Sequence, residues 1–183
     1  MKNVTHMKKA LAVVVLPLLF AVASFAGDDF PGDDLAASPS VAHWSRLVGV
    51  ITAPGLSNTV AGIASGTTPW TTTNGSATVN FSAGTATFSV QGLVLVGGNS
   101  SGTPGMVKMV KGTLVCNPAT SSQTVFDTLA VPLSPQGNAT NVASAEKFDR
   151  DPASISPCNN PLFLIRVVPK NIWIATGAVL TEH

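Results

Sequence analysis

The sequence is poor in charged and aromatic residues. Asp, Glu, Lys and Arg make up 10% of the 183 residues, aromatic residues make up 6%, tyrosine does not occur and only three histidines are present. So few ionisable side chains leave little material for acid–base catalysis, and the net charge of +1 argues against a basic nucleic-acid-binding domain. The composition therefore favours a protein that is not an enzyme, with no cofactor, no metal and no nucleic-acid partner.

Long apolar runs are absent apart from one near the amino terminus. Residues 1–26 have the three parts of a secretory signal peptide: the basic pair Lys8–Lys9, the apolar run Ala10–Ala23, and small residues before Ala26. The run contains Pro17 and is shorter than the roughly 18 to 20 residues that span a membrane. We therefore expect cleavage after Ala26, export to the periplasm or the extracellular medium, and no membrane span in the mature form.

The segment expected to follow the leader is acidic. Residues 27–39 contain the tandem repeat Gly27-Asp28-Asp29 and Gly32-Asp33-Asp34, with too little apolar surface to offset the entropy of ordering. Without the leader, which holds three of the ten basic residues, the net charge is about −2. The predicted organisation is a signal peptide over 1–26, a flexible acidic tail over 27–39 and a single domain over 40–183.

Cysteine is also rare, since Cys116 and Cys158 are the only two in the chain. Export exposes both to oxidising conditions, and no histidine lies near either one in sequence to complete a metal site or activate a thiol. One disulfide is therefore predicted. In the chain-entropy model, closing a loop of this length stabilises a fold by about 4 kcal/mol.

Ser, Thr, Gly and Pro are abundant and together make up about 40% of residues 27–183. Their frequent recurrence leaves no room for long helices. Apolar and polar residues alternate from Ser76 to Phe81 and from Thr85 to Gln91, on either side of an Ala83-Gly84 turn, and this pattern predicts a β-hairpin. Further strands are predicted over Val41–Ile51, Leu93–Val96, Val107–Cys116, Val125–Leu133, Ala139–Ala145, Leu162–Val168 and Ile172–Val179. Seven or eight short antiparallel strands indicate an all-β fold, either a β-sandwich or a partly open barrel.

Turn residues and apolar patterning refine several of these strands. Val41–Ile51 could instead begin a short helix capped by Ser40, but the β-branched residues at its end favour a strand. Leu93–Val96 is apolar on both faces, which is typical of a central strand. Pro169-Lys170-Asn171 predicts a hairpin between the last two strands, and Leu133–Gly137 is expected to connect the pair before them.

The tryptophans are the main candidates for ligand contact. Trp70 lies in the Gly-, Ser- and Thr-rich segment Ala53–Gly75, a loop of unusual length inside a compact domain. Exposed tryptophans stack on sugar rings or anchor protein partners, so Trp70 is the first candidate and Trp44 the second for binding a glycan or protein ligand. The alternative for Trp70 is that it folds back onto the core. Trp173 alternates with small residues in a predicted strand, which favours core packing.

Two patterns suggest catalysis and are weaker. Gly98–Gly102 fits GxSxG, but a turn follows where a nucleophile elbow needs a helix, and His183 is the only downstream histidine. Asp127, Glu146 and Asp149 could serve a polysaccharide hydrolase, although a catalytic acid needs an apolar surrounding and the basic residues between Glu146 and Asp149 indicate a solvated loop. A noncatalytic binding or structural module is the leading hypothesis, and the hydrolase is the alternative.

Several short stretches carry one further indication. They are His43–Val50, Pro69–Thr71, Phe88–Leu95, Gly97–Asn99, Lys111–Cys116, Phe163–Arg166 and Trp173–Ala175. Together with Cys158, these stretches resemble small exported bacterial proteins that have two cysteines and no assigned activity. The resemblance spans most of the expected mature domain, implies an exported all-β protein, and supplies no catalytic residue.

Overall fold

The computed structural model describes residues 40–141, 146–150 and 157–182. The predicted signal peptide and acidic tail lie outside this part of the chain. Within it, no helix is long and apolar enough to cross a membrane. In chain order the described strands are β1 (Val41–Gly49), β2 (Thr59–Val60), β3 (Ile63–Ala64), β4 (Trp70–Thr71), β5 (Asn74–Asn80), β6 (Thr85–Gln91), β7 (Val94–Leu95), β8 (Met109–Cys116), β9 (Thr124–Asp127), β10 (Val131–Pro132), β11 (Ala139–Thr140), β12 (Glu146–Lys147), β13 (Leu162–Val167) and β14 (Trp173–Glu182).

Ten of these strands form one antiparallel sheet. Its main path is β10-β8-β13-β14-β1-β5-β6-β11, with β9 added to β8 and β12 added to β6. The sheet is curled, so that β8 and β6 approach each other although they are far apart in strand order. A Cβ atom on Gly112 of β8 would lie 2.7 Å from Phe163 of β13 and 3.0 Å from Phe88 of β6. The predicted all-β class and antiparallel pairing are confirmed. Of the two predicted architectures, the partly open barrel describes this single curled sheet.

The segments with clear period-two patterning form the strands that were predicted. β5 and β6 make the expected hairpin, with Ser76 opposite Ser89 and Thr78 opposite Thr87, and buried residues alternate with partly exposed ones along both strands. β1 is a strand rather than a helix. β13 and β14 form the expected terminal hairpin.

Three predicted strands differ from the structure. Leu93–Val96 contributes only the short strand β7, because Gly92 and Gly97 on either side of it have φ angles of 61° and 83°. Val125–Leu133 divides at Thr128, which exchanges hydrogen bonds with Gly112 and ends β9 there. Ala139–Ala145 is a strand only over β11, and its residues 142–145 are outside the described part.

The connection at Leu133–Gly137 also differs from the prediction. The strands on either side of it do not pair with each other: β10 pairs with β8, whereas β11 pairs with β6. Since β8 and β6 lie towards opposite ends of the sheet, this connection passes from one end to the other.

Large side chains fill the concave side of the sheet. Trp44 and Phe163 have ring centroids 5.5 Å apart, and Phe88 lies 6.1 Å from Phe163. Trp44 fits because residue 177 is glycine: a Cβ there would lie 2.4 Å from Trp44 Cδ1. Close packing of this kind leaves no room for an added methyl group.

The predicted disulfide between Cys116 and Cys158 is confirmed. Both cysteines are buried, and their Cα atoms are 4.8 Å apart. The bond joins the end of β8 to the segment that leads into β13. The adjoining residues Asn117 and Asn159 exchange hydrogen bonds of 3.0 Å and reinforce the same junction.

Candidate binding site

Trp70 lies at the end of the curled sheet where β1 finishes. Its backbone N–H donates a 2.9 Å hydrogen bond to the Val50 carbonyl oxygen, and β4 pairs with β7 so that Trp70 is opposite Leu95. The residue is 6% exposed. The Ala53–Gly75 segment is therefore a sequence of short strands and turns that fixes Trp70, and the alternative in which Trp70 folds back onto the core is the one found.

A glycine allows β4 to cross the end of β1 at this point. A Cβ atom on Gly49 would lie 2.3 Å from the Trp70 carbonyl oxygen, a distance that no side chain tolerates. Backbone therefore packs on backbone, and the position of Trp70 is set by main-chain contacts at both Gly49 and Val50.

The Trp70 side chain forms one wall of an open cleft of about 290 Å³. The other lining residues come from segments far apart in sequence: Gly66, Thr67, Thr68, Leu95, Pro104, Met106, Val107, Val167, Val168, Pro169, Lys170, Ile172 and Ile174. Most of the lining side chains are aliphatic or proline. We call this site the Trp70 cleft; it is a mostly apolar recess formed by loops, short strands and the β13–β14 hairpin, which are far apart in sequence.

Exposed apolar side chains occur in the Trp70 cleft and in segments hydrogen-bonded to it. Met106, which lines it, is 93% exposed, and Ile51 and Leu56 are 82% and 63% exposed. Ile51 and Leu56 each follow a residue whose backbone is hydrogen-bonded to the 67–70 segment, and the N–H of the exposed Val96 donates to the Pro69 carbonyl. Clustered exposed apolar surface is typical of interaction sites.

Lys170 is the charged residue among those lining the cleft. It lies in the turn between β13 and β14 and is exposed. In the described part of the chain both ion pairs end on Asp127, so Lys170 pairs with no described carboxylate. Its neighbours across the cleft include the exposed residues Thr67 and Thr68, whose hydroxyl groups can donate or accept hydrogen bonds.

The other two tryptophans belong to the core. Trp44, predicted as a second ligand contact, is 2% exposed and enclosed by Phe163 and Gly177, because the small residue beside it in β14 makes room for the ring inside the sheet. Its side chain therefore leaves almost no surface for a ligand. Trp173 is 5% exposed, in keeping with the predicted core packing. Its Nε1 atom has no hydrogen-bond partner among the described residues.

The candidate carboxylates serve structural contacts. Asp127 accepts bonds from Lys111 Nζ at 2.6 Å, Arg166 Nη1 at 3.2 Å and Thr113 Oγ1 at 2.6 Å. Asp149 accepts the Asp127 backbone N–H at 3.0 Å and returns its own N–H to the Asp127 carbonyl at 2.9 Å. Neither lines the Trp70 cleft. The side chain of Glu146 lies outside the described part of the molecule.

The sequence singles out Trp70 as a candidate contact residue, but none of the other residues that line the cleft. The turn at 104–107 follows Gly98–Gly102, which forms exposed turns with the Ser101 hydroxyl accepting the Gly97 N–H. One signal was available, since Met106 is a large apolar residue among turn-forming neighbours. The contribution of the β13–β14 hairpin depends on a long-range contact that no local pattern reports.

Neither metal ligation nor comparison with known proteins assigns a further role to these residues. Over the described residues, no group of three or more His, Cys, Asp or Glu side chains could hold a metal ion. The resemblance to small exported two-cysteine proteins stays a prediction. The chain matches no protein-family model, no curated protein and no solved structure.

Proposed function

We propose that this protein is an exported, noncatalytic binding module that receives an apolar group of its ligand in the Trp70 cleft. The observation that carries the proposal is the cleft itself, an open and mostly apolar recess whose lining includes the exposed side chain of Met106. Removing apolar surface from water contributes about 25 cal/mol per Å², so a ligand that covers this recess is stabilised by burial alone.

The size of the cleft limits the ligand group. At about 290 Å³ it lies near the lower end of ligand pockets, which span roughly 300 to 1,000 Å³. A short alkyl chain, a small ring or one apolar side chain of a larger partner fits such a space. This range includes both a free small molecule and the tip of a protein ligand.

The construction of the site favours binding over chemistry. Trp70 is fixed by strand pairing and by backbone contacts with β1, and a fixed wall lowers the entropy lost on binding. The candidate carboxylates Asp127 and Asp149 lie elsewhere, each engaged by neighbouring groups. The disulfide supports export, because such bonds persist in oxidising compartments.

The test is saturation-transfer NMR with hexan-1-ol, a neutral apolar probe, on the natively oxidised protein. We expect saturable binding that weakens in Met106→Ala, which removes an exposed wall, and in Gly66→Ala, whose new methyl would lie 3.6 Å from Trp70 Nε1 and from Ile174 Cγ2 and narrow the cleft.

Leu129→Ala is the matched control, because Leu129 is also an exposed apolar residue, 67% accessible, but does not line the cleft. The affinity of the Leu129→Ala variant for hexan-1-ol should equal that of the unmodified protein. Absence of binding, or equal affinity in all four proteins, would show that the cleft is not the binding site.

A further inference from the structure

We infer that the Trp70 cleft selects ligands in which a small apolar body carries a single anionic group, and that Lys170 recognises this group. The inference rests on the proposed function and adds the chemical class of the ligand. Its basis is the contrast between apolar walls and one cationic side chain placed at their edge.

The hairpin turn gives Lys170 a fixed attachment. The Val167 N–H donates to the Ile172 carbonyl at 2.9 Å, and the Asn171 N–H returns to the Val167 carbonyl at 2.8 Å. Arg166 Nε donates to the Asn171 carbonyl at 2.8 Å and ties the turn to β13. The backbone at residue 170 is thereby held beside the cleft, while its side chain stays exposed.

The charges near this hairpin divide into two groups. Lys111 and Arg166 are engaged by the Asp127 carboxylate, at 2.6 and 3.2 Å. Lys170 has no such partner among the described residues, and no Asp or Glu lines the cleft. The site therefore presents a positive potential, which attracts an anionic group and repels an ammonium group.

Apolar walls and an edge cation together favour one type of ligand. The body of an amphiphile can occupy the recess next to Trp70, Leu95 and Ile172, and its anionic end can reach Lys170 at the solvent boundary. The exposed hydroxyls of Thr67 and Thr68 can add hydrogen bonds to an anionic oxygen. Because Lys170 is exposed, the added affinity is that of a surface ion pair, about two- to fivefold.

The experiment compares hexanoate, hexan-1-ol and hexylamine in the same saturation-transfer assay. We expect hexanoate to bind about two- to fivefold more tightly than hexan-1-ol, and hexylamine to bind most weakly. Raising NaCl to about 1 M, where the screening length is about 3 Å, should remove the preference for hexanoate.

Two charge-matched variants locate the effect. Lys170→Gln should bring hexanoate to the affinity of hexan-1-ol and leave hexan-1-ol unchanged. Lys147→Gln removes an exposed lysine on β12, which pairs with the Thr85 end of β6 and does not line the cleft, and should keep the full preference.

The outcomes separate the two proposals. If hexan-1-ol binds but hexanoate shows no preference, or the preference survives Lys170→Gln, the inference about the anion is wrong while the binding function stands. If none of the three probes binds, both proposals are wrong.

Discussion

The fit between Trp44 and Gly177 gives a prediction whose size follows from the structure. In Gly177→Ala the new methyl would lie 2.4 Å from Trp44 Cδ1 and 2.6 Å from Cγ. Trp44 is 2% exposed and its ring packs at 5.5 Å from Phe163, so the indole cannot swing into solvent to relieve the clash. The sheet or the core must shift instead.

Two opposing effects set the magnitude. Overpacking a core costs about 1 to 3 kcal/mol, and an enclosed ring places this case at the upper end. Replacing glycine with alanine in a strand recovers about 0.5 to 1 kcal/mol, because the unfolded chain loses freedom. We expect Gly177→Ala to lower the free energy of unfolding by about 2 kcal/mol.

The assay is equilibrium unfolding in urea followed by tryptophan fluorescence. Gly66→Ala is the control, since its methyl meets its neighbours at an ordinary 3.6 Å, so this variant should keep the stability or raise it by up to about 1 kcal/mol. In a Trp44→Leu background the cost of Gly177→Ala should shrink, because the obstacle is smaller. Equal stability of the two alanine variants would refute the packing described for Trp44. So would a loss of unfolding free energy from Gly177→Ala that is as large in the Trp44→Leu background as in the unmodified protein.

Three further predictions concern the disulfide and the carboxylates. Reducing the disulfide should lower the unfolding free energy by up to about 4 kcal/mol, and denaturation curves that coincide with and without reductant would contradict this. Asp127→Asn should lower the free energy of unfolding by about 1 to 3 kcal/mol, because it leaves two partly buried basic groups without their carboxylate. Asp149→Asn keeps an acceptor oxygen and should lower it much less, and thermal unfolding distinguishes the two variants. A polysaccharide hydrolysis screen should show no turnover, and turnover abolished by Asp149→Asn or Glu146→Gln would establish the hydrolase instead.

The strands that sequence patterning predicts well are those whose surroundings are uniform along their length. β5 and β6 each have one face towards the core, so their alternation is a direct record of burial. Leu93–Val96 misleads because its apolar residues serve the short strand β7, which pairs with β4 outside the ten-stranded sheet and is limited in length by glycines of positive φ on both sides.

The candidate site is harder to predict because it is assembled from distant segments. A tryptophan in a polar stretch suggests a contact residue, and Trp70 does border a cleft, but its burial depends on Gly49 at the end of β1 and on Val50, which follows it. The interior place of Trp44 depends likewise on Gly177 in the neighbouring strand β14. Neither relation has a local signature, because tertiary contact rather than sequence spacing brings these residues together.

The most direct measurement is a ¹H–¹⁵N spectrum of protein labelled at the tryptophan indoles, recorded while hexanoate is added. We expect the Trp70 indole signal, assigned through Trp70→Phe, to shift in a saturable way, while the signals of the enclosed Trp44 and Trp173 stay in place. A Trp70 signal that does not move, or comparable shifts at all three indoles, would contradict a ligand site in the Trp70 cleft.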